Sequence, residues 1–402
     1  MSWEYVALGE LYEVHNGLSK GGKFFGKGSP FLSFSTVFNK WFLPQELLDL
    51  VQSTDSEQQS YSILRGDVFV TRTSETMDEL GMSSVALKDY PHATYNGFTK
   101  RLRPINPERI LPEFIGYYLR TAVFRAGFTA FSTMTTRASL RNEDLLSMKV
   151  PVPDMQTQKH IASILSAYDD LVESNQKQIK LLEEAAQRLY KEWFVDLRFP
   201  GHETTPIVDG IPEGWERMVL SEVTSVLKRG ISPKYSDNGK YSVINQKCIR
   251  SSIMDISESR RQEKEYVPTL NLQDSDTVIC STGTGTLGRV GRVYGDYPNT
   301  TFDSHVTLVR AKENPNYIYH VVKSQQEYLM GMGRGSTNQQ ELYRDVIERL
   351  VVLCPSQDIL LKADRALNAI HCKIKAVYLQ NNLLVESRDR LLPKLMSGEL
   401  EV

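Results

Sequence analysis

From Gln156 onward, apolar side chains return at alternating steps of four and three: Ile161, Leu165, Tyr168, Val172, Asn175, Ile179, Leu182, Ala186, Leu189 and Trp193. A heptad seam sustained over more than four repeats predicts a long helix that buries one stripe against a partner helix. Pro and Gly are absent from this stretch until Pro200, and Pro151 and Pro153 mark its entry. The same rule returns late in the chain at Leu360, Ala363, Leu367, Ile370, Ile374, Val377, Asn381, Leu384, Arg388, Leu391 and Leu395. Two rods are therefore expected, one over residues 156–196 and one over 356–402 with its tail, each roughly 50 Å long at ~1.5 Å per residue.

Each seam carries one central asparagine, Asn175 and Asn381. A buried asparagine costs stability unless it meets a polar partner, so it can fix register. Setting the two level in an antiparallel pair places Ile161 opposite Leu395 and Leu189 opposite Leu367. It also puts Arg388 near Tyr168, where the stem would cover the ring and the charge would reach solvent. Two rods in one chain need no outside partner; helices lying on a domain surface, or pairing with a second chain, are the other readings of the pattern.

Between the rods the pattern shortens to strand-like runs. Residues 1–155 offer Tyr61-Ser-Ile-Leu, the turn Gly66-Asp67, Val68 to Arg72 and Ser84 to Leu87; residues 197–355 offer Thr277 to Ser281 and a run ending at Val293. Short helices are expected over 113–123 after Pro112 and over 317–330 after Pro315. The two modules repeat each other: Trp3-Glu4 opens one and Trp215-Glu216 the other, while Leu140 matches Leu342 and Pro153 matches Pro355 at a constant offset of 202. The predicted class is α+β, with two similar globular modules and two long antiparallel coiled-coil helices.

The 402 residues suffice for two cores, and 47 Lys plus Arg against 49 Asp plus Glu leave a net charge of -2. Any contact with a polyanion must then be a local patch. Cys248, Cys280, Cys354 and Cys372 stand far apart with no C-x-x-C spacing, which fits reduced thiols. No signal-like opening and no apolar run near ~20 residues are present, so a cytoplasmic protein without membrane contact is expected.

Catalytic chemistry finds little support. Gly283 to Gly288 has glycine spacing faintly like a phosphate loop, but no Gly-Lys-Ser/Thr follows, and a glycine turn explains it. Asp154 reads as a helix cap, and the seven histidines are scattered singly. Asn314-Pro-Asn-Tyr317 lacks the second proline of an amino-methylation motif. No bound cofactor or metal is expected.

Loops suited to DNA are easier to find. Lys20, Lys23 and Lys27 lie in a glycine-rich stretch without acidic residues, and Lys228, Arg229 and Lys234 follow the second Trp-Glu opening as its apparent equivalent. For base reading the first module offers Arg72, Thr73, Ser74 and Arg137. The second offers Thr282, Thr284, Arg289, Arg334, Thr337 and Asn338. Each has a plainer reading as a solvated charge or a turn hydroxyl.

The order of these pieces resembles the specificity subunit of type I restriction-modification systems. The resemblance rests on Trp3-Glu-Tyr-Val-Ala-Leu-Gly-Glu-Leu and Trp215-Glu-Arg-Met-Val-Leu-Ser-Glu-Val, on Gly66-Asp-Val-Phe, on Tyr190-Lys-Glu-Trp-Phe-Val-Asp-Leu-Arg-Phe-Pro-Gly201 and on Leu391-Leu-Pro-Lys-Leu-Met-Ser-Gly-Glu-Leu400. It implies a non-catalytic subunit whose modules are target recognition domains for the halves of an asymmetric bipartite site in double-stranded DNA. It further implies two adenine-methyltransferase subunits and translocating endonuclease subunits as partners, with S-adenosylmethionine, ATP and Mg used by the complex and bound by the other subunits. An orphan subunit serving a methyltransferase alone, or a coiled-coil scaffold without DNA contact, would carry many of the same features.

Overall fold

The structure, a computed structural model, describes residues 3–74, 80–131, 138–283, 285–335 and 340–402. Its contacts divide the chain into two compact units, Met1–Ser174 with Asn381–Val402, and Asn175–Gln380.

The first unit is built on a four-stranded antiparallel sheet in the order Tyr12–Asn16, Thr99–Pro104, Val68–Thr71, Ser83–Val85. The predicted run from Val68 is buried at every position, as an apolar stretch covered on both faces should be. Val68 and Val70 pack in a cluster with Phe114, Ile115, Leu165 and Leu395, while Phe69 packs in another with Leu32 and Tyr95. A second sheet orders Leu50–Val51, Phe25–Leu32 and Thr94–Tyr95, the last pair parallel. Tyr5–Ala7 pairs with Lys149–Pro151, tying the opening of the module to its exit.

The second unit repeats this plan. Its four-stranded sheet runs Thr224–Arg229, Val306–Ala311, Thr277–Cys280, Val290–Arg292, and its three-stranded sheet runs Arg260–Gln262, Tyr241–Ile244, Thr300–Phe302, again with the last pair parallel. Glu216–Val219 pairs with Val351–Cys354. The duplicated sequence thus produces a duplicated topology.

An ion pair recurs with it. Asp67 accepts from Nε and Nη2 of Arg103 at 2.8 and 2.6 Å and from the backbone N–H of Leu64 at 2.8 Å. Asp276 accepts from Nε and Nη2 of Arg310 at 2.7 Å each and from the backbone N–H of Gln273 at 2.8 Å. Both carboxylates are buried, so the arginine fork and the turn N–H replace their water.

The residue before each aspartate explains the change of Gly66 to Ser275. Both take left-handed backbone, φ +91° and +71°, a region that suits glycine and strains a side chain. The turn is therefore conserved in shape though not in residue. Ser275→Gly is expected to stabilise the second unit by about 1 kcal/mol; an unchanged or lower denaturation midpoint would show that the serine side chain, 3.4 Å from Asp274, compensates the strain.

Two smaller expectations are corrected. Tyr61-Ser-Ile-Leu is not a strand: Asp55–Ser60 is helical and only Ile63 forms an isolated bridge, to Tyr90, because the capping box of Thr54 and Glu57 nucleates a helix just before it. The stretch after Pro112 is two helices, Pro112–Tyr118 and Ala122–Phe131, and that after Pro315 is Pro315–Ser324 and Gln326–Gly331.

The rods are continuous helices, Met155–Tyr190 and Gln357–Ser397, the first passing into a π-helical turn at Lys191–Val195. Asp154 caps the first by accepting from the N–H groups of Gln156 and Thr157 at 2.9 and 3.0 Å. The helices run antiparallel within each unit. In the first, Ile161 and Leu165 cluster with Leu392 and Leu395, and Asn381 donates to the Val172 carbonyl at 3.5 Å. In the second, Ile179 and Leu182 cluster with Ile370, Ile374 and Val377, and Asn175 donates to Gln380 Oε1 at 3.2 Å. Both asparagines are buried. Each fully buried seam residue such as Ile161 contributes roughly 1.5–3 kcal/mol.

Arg388 departs from expectation. Its charge does not reach solvent: the guanidinium pairs with Asp169 and Asp389, lies 4.7 Å from the Trp41 ring centroid, and is 14% exposed. Asp169, one residue past the seam position Tyr168, also accepts from the Tyr117 hydroxyl at 2.6 Å. A polar cluster thus seats the first module on its rods. Among the described residues, no helix is long and apolar enough to cross a membrane.

Candidate nucleic-acid interface

Within each module, the residue just after one central strand meets the residue just before its antiparallel neighbour at one end of the four-stranded sheet. In the first module the Arg72 N–H donates to the Phe98 carbonyl at 3.0 Å, and the Arg72 carbonyl accepts from Leu140 N–H at 3.0 Å. In the second module Ser281 N–H donates to the His305 carbonyl at 2.8 Å, and its carbonyl accepts from Leu342 N–H at 2.8 Å. The Leu140–Leu342 match in the sequence is therefore real, and through it Arg72 corresponds to Ser281 and Thr73 to Thr282.

On this edge of the first module, Thr73–Ser74 pairs with Ala138–Ser139. Arg72 is half-buried beside Lys100, whose ammonium donates to Asn142. Burial and then the Arg72 charge push the Lys100 pKa down, so two cations crowd one place. Arg137 lies outside the described residues.

On the second module's edge, Thr282 and Arg334 each form a bridge to Glu341. The Thr282 hydroxyl lies 2.6 Å from His305 Nδ1, and Arg334, exposed, is 5.7 Å from the Tyr343 ring centroid. Arg289 is half-buried at the turn before Val290–Arg292 and is not the counterpart of Arg72. Thr284, Thr337 and Asn338 lie outside the described residues.

The two basic stretches are equivalent only in part. Lys228 and Arg229 end the strand Thr224–Arg229, and Gly230 N–H donates to Val306 as Gly17 N–H donates to Thr99, which aligns them with His15 and Asn16. Both strands end directly before a glycine, Gly17 and Gly230, and the bridges of Leu18 to Asn96 and of Ile231 to Asp303 align the residues that follow, so Lys234 lies one place beyond the position that matches Lys20. Nor is the Lys20–Lys27 stretch free chain: Gly22–Phe24 is a 3-10 turn and Phe25–Leu32 a strand. Gly28 takes φ +105° where a Cβ would meet the Val51 carbonyl at 2.5 Å.

Charge is distributed unevenly among these groups. Lys20 pairs with Glu57 at 2.7 Å, Lys234 with Glu263 at 2.8 Å, and Arg229 with Glu341 while its Nε donates to the Ser304 carbonyl at 2.5 Å. Lys23, Lys27 and Lys228 are exposed. Lys100, Phe98 and His305 belong to the edge and were not singled out from sequence; the Asn-Gly and Asp-Ser pairs before the two rings were the available turn signal. Among the described residues no group of three or more His, Cys, Asp or Glu side chains could hold a metal ion.

Residues 1–184 and 212–359 match the family model of the type I restriction modification DNA specificity domain. The type I restriction enzyme MjaIX specificity subunit of Methanocaldococcus jannaschii is 28% identical over 334 residues, covering 79% of this chain and 75% of the relative. The HindI specificity subunit of Haemophilus influenzae is 22% identical over 373 residues, covering 73% and 79%. The crystal structure of a type I restriction-modification S subunit from M. genitalium shares the fold, with a TM-score of 0.56 at 15% identity over 98% of this chain and 96% of that one. Two copies of one sheet framework on paired rods, matched by this family model over most of the length, make the chain a member of the type I restriction-modification specificity subunits.

Proposed function

We propose that the chain reads an asymmetric bipartite site in double-stranded DNA, one half by each module, with the paired rods as a ruler between the halves. The observation that carries this is the combination of a repeated framework with unlike edges. The sheets, the buried aspartate–arginine pair and the turns recur, while Arg72 and Phe98 of one edge become Ser281 and His305 of the other. Identical readers would need identical edges; two different half-sites need this difference.

Half-sites one DNA turn apart lie about 34 Å apart along the helix. A 36-residue rod is about 54 Å long at ~1.5 Å per residue, enough to span that separation with its ends embedded in the modules. Asn175 and Asn381 would set the register that fixes it. The chain itself would be non-catalytic. Its partners would be two adenine-methyltransferase subunits and translocating endonuclease subunits, which would bind S-adenosylmethionine, ATP and Mg for the complex.

Mapping methylated adenines in cells carrying this chain with its methyltransferase partner is expected to reveal a motif of two short specific blocks separated by unspecified bases. A continuous motif would remove the ruler. No new methylation, together with salt-insensitive or absent DNA binding by the assembled complex, would favour a scaffold instead.

A further inference from the structure

The two reading edges share one small device. In the first module the Asn96 side chain accepts from the Phe98 N–H at 2.7 Å, the Thr99 N–H and hydroxyl donate to the Asn96 carbonyl at 3.0 and 2.7 Å, and a Cβ on Gly97 would meet Ser19 Oγ at 2.3 Å. In the second module the Asp303 side chain accepts from the His305 N–H at 2.9 Å, and the Val306 N–H donates to the Asp303 carbonyl at 3.0 Å. These are the same aspartate/asparagine-held turn, built from side chain to backbone two residues on. Each turn holds its third residue through that residue's own N–H and carbonyl, leaving its ring free to differ between the modules.

The rings do differ, and both are exposed. Phe98 is 58% exposed, and the Arg72 N–H donates to its carbonyl. His305 is exposed, its Nδ1 held by Thr282, and its Nε2 has no hydrogen-bond partner among the described residues. Phe98 stands outside the buried core, and among the described residues His305 keeps one ring nitrogen open while the other is held by Thr282.

Resting on the bipartite reading above, we infer that positions 98 and 305 are equivalent specificity-determining residues, one in each module. Phe98 offers an apolar face, which suits the methyl edge of a thymine in the major groove. His305 offers Nε2 for a hydrogen bond to a base edge. The turn fixes the backbone beneath each ring in advance, which lowers the ordering cost of binding.

The test uses the complete system with exchanged residues. Phe98→His is expected to change the preferred base in one half of the methylated motif, shifting the ratio of methylation between favoured and disfavoured bases at that position by about tenfold or more. His305→Phe is expected to do the same in the other half only. Phe98→Leu, which keeps an apolar contact, is expected to retain the wild-type motif. A wild-type bipartite motif left unchanged by both exchanges overturns this inference while leaving the bipartite reading standing. Equal loss of methylation by Phe98→Leu and Phe98→His, with unchanged hydrogen exchange in the module, also overturns it, because a positioning role then replaces discrimination. A wild-type motif that is not bipartite overturns the bipartite reading and this inference with it.

Discussion

Arg310→Leu will destabilise the second unit by about 3–5 kcal/mol, enough to unfold a marginal module at physiological temperature. The arginine is the counter-charge of Asp276, which is 1% exposed and also accepts from a turn N–H. Burial raises the Asp276 pKa, and Arg310 works against that rise, so the ion pair is what holds the carboxylate charged. Removing Arg310 leaves either a buried lone charge or a carboxyl that takes up a proton, and also frees the Thr269 and Asn271 carbonyls that Nη1 and Nη2 cap at 3.0 and 2.8 Å. Asp276→Asn combined with Arg310→Leu should recover a large part of the loss, since the unpaired charge is gone. Denaturation midpoints with segment-resolved hydrogen exchange would check this. Equal losses in the single and double variants would mean that the capped carbonyls, and not the charge, carry the energy.

Acidification from pH 6.5 to pH 5 is expected to cost the second unit about 3 kcal/mol, the second large effect. His320 and His371 are buried, with Nε2 atoms 3.0 Å apart, and the Tyr294 hydroxyl lies 2.8 Å from His371 Nδ1. Burial, followed by the Arg292 charge and then Lys323, pushes the His320 pKa down to about 3. Burial, followed by Arg292 and then His320, pushes that of His371 down to about 2. The unfolded chain takes up both protons near pH 6.5 and the folded chain does not. Stability is therefore fully present above that pH and falls as pH drops, by about 1.4 kcal/mol per histidine per pH unit. It levels off only as the folded groups themselves titrate. His320→Gln with His371→Gln should flatten the profile. A denaturation midpoint for this unit that holds steady between pH 7 and 5 would show that the imidazoles are not kept neutral.

The rods were legible because heptad spacing is a local signal repeated many times: the seam from Ile161 to Leu189 is buried or half-buried at each position in the fold. Strands such as Val68–Thr71 and Thr277–Cys280 were legible for a similar reason, a short apolar run bounded by a turn. Partners distant in sequence were not. Lys20 finds Glu57 37 residues away, and Arg229 finds Glu341 112 residues away; no periodicity encodes such pairings. The seat of Arg388 was missed because Asp169 stands one place off the seam. The matching of Phe98 with His305 required the strand ladders, since the offset of 202 that joins Leu140 to Leu342 does not hold at these turns.

One core contact sets the order of assembly during synthesis. Leu392, Leu395 and Met396 complete the core that contains Val6, Val68 and Phe114, and the whole second unit, residues 175–380, is inserted between those parts in the chain. The first module therefore leaves the ribosome without its final layer and waits while residues 175–380 are made, roughly 10–40 s at about 5–20 residues per second. The second unit, continuous in sequence, can close first. A nascent chain cut short before Leu392 would carry a finished second unit and a first unit without the last layer of its core.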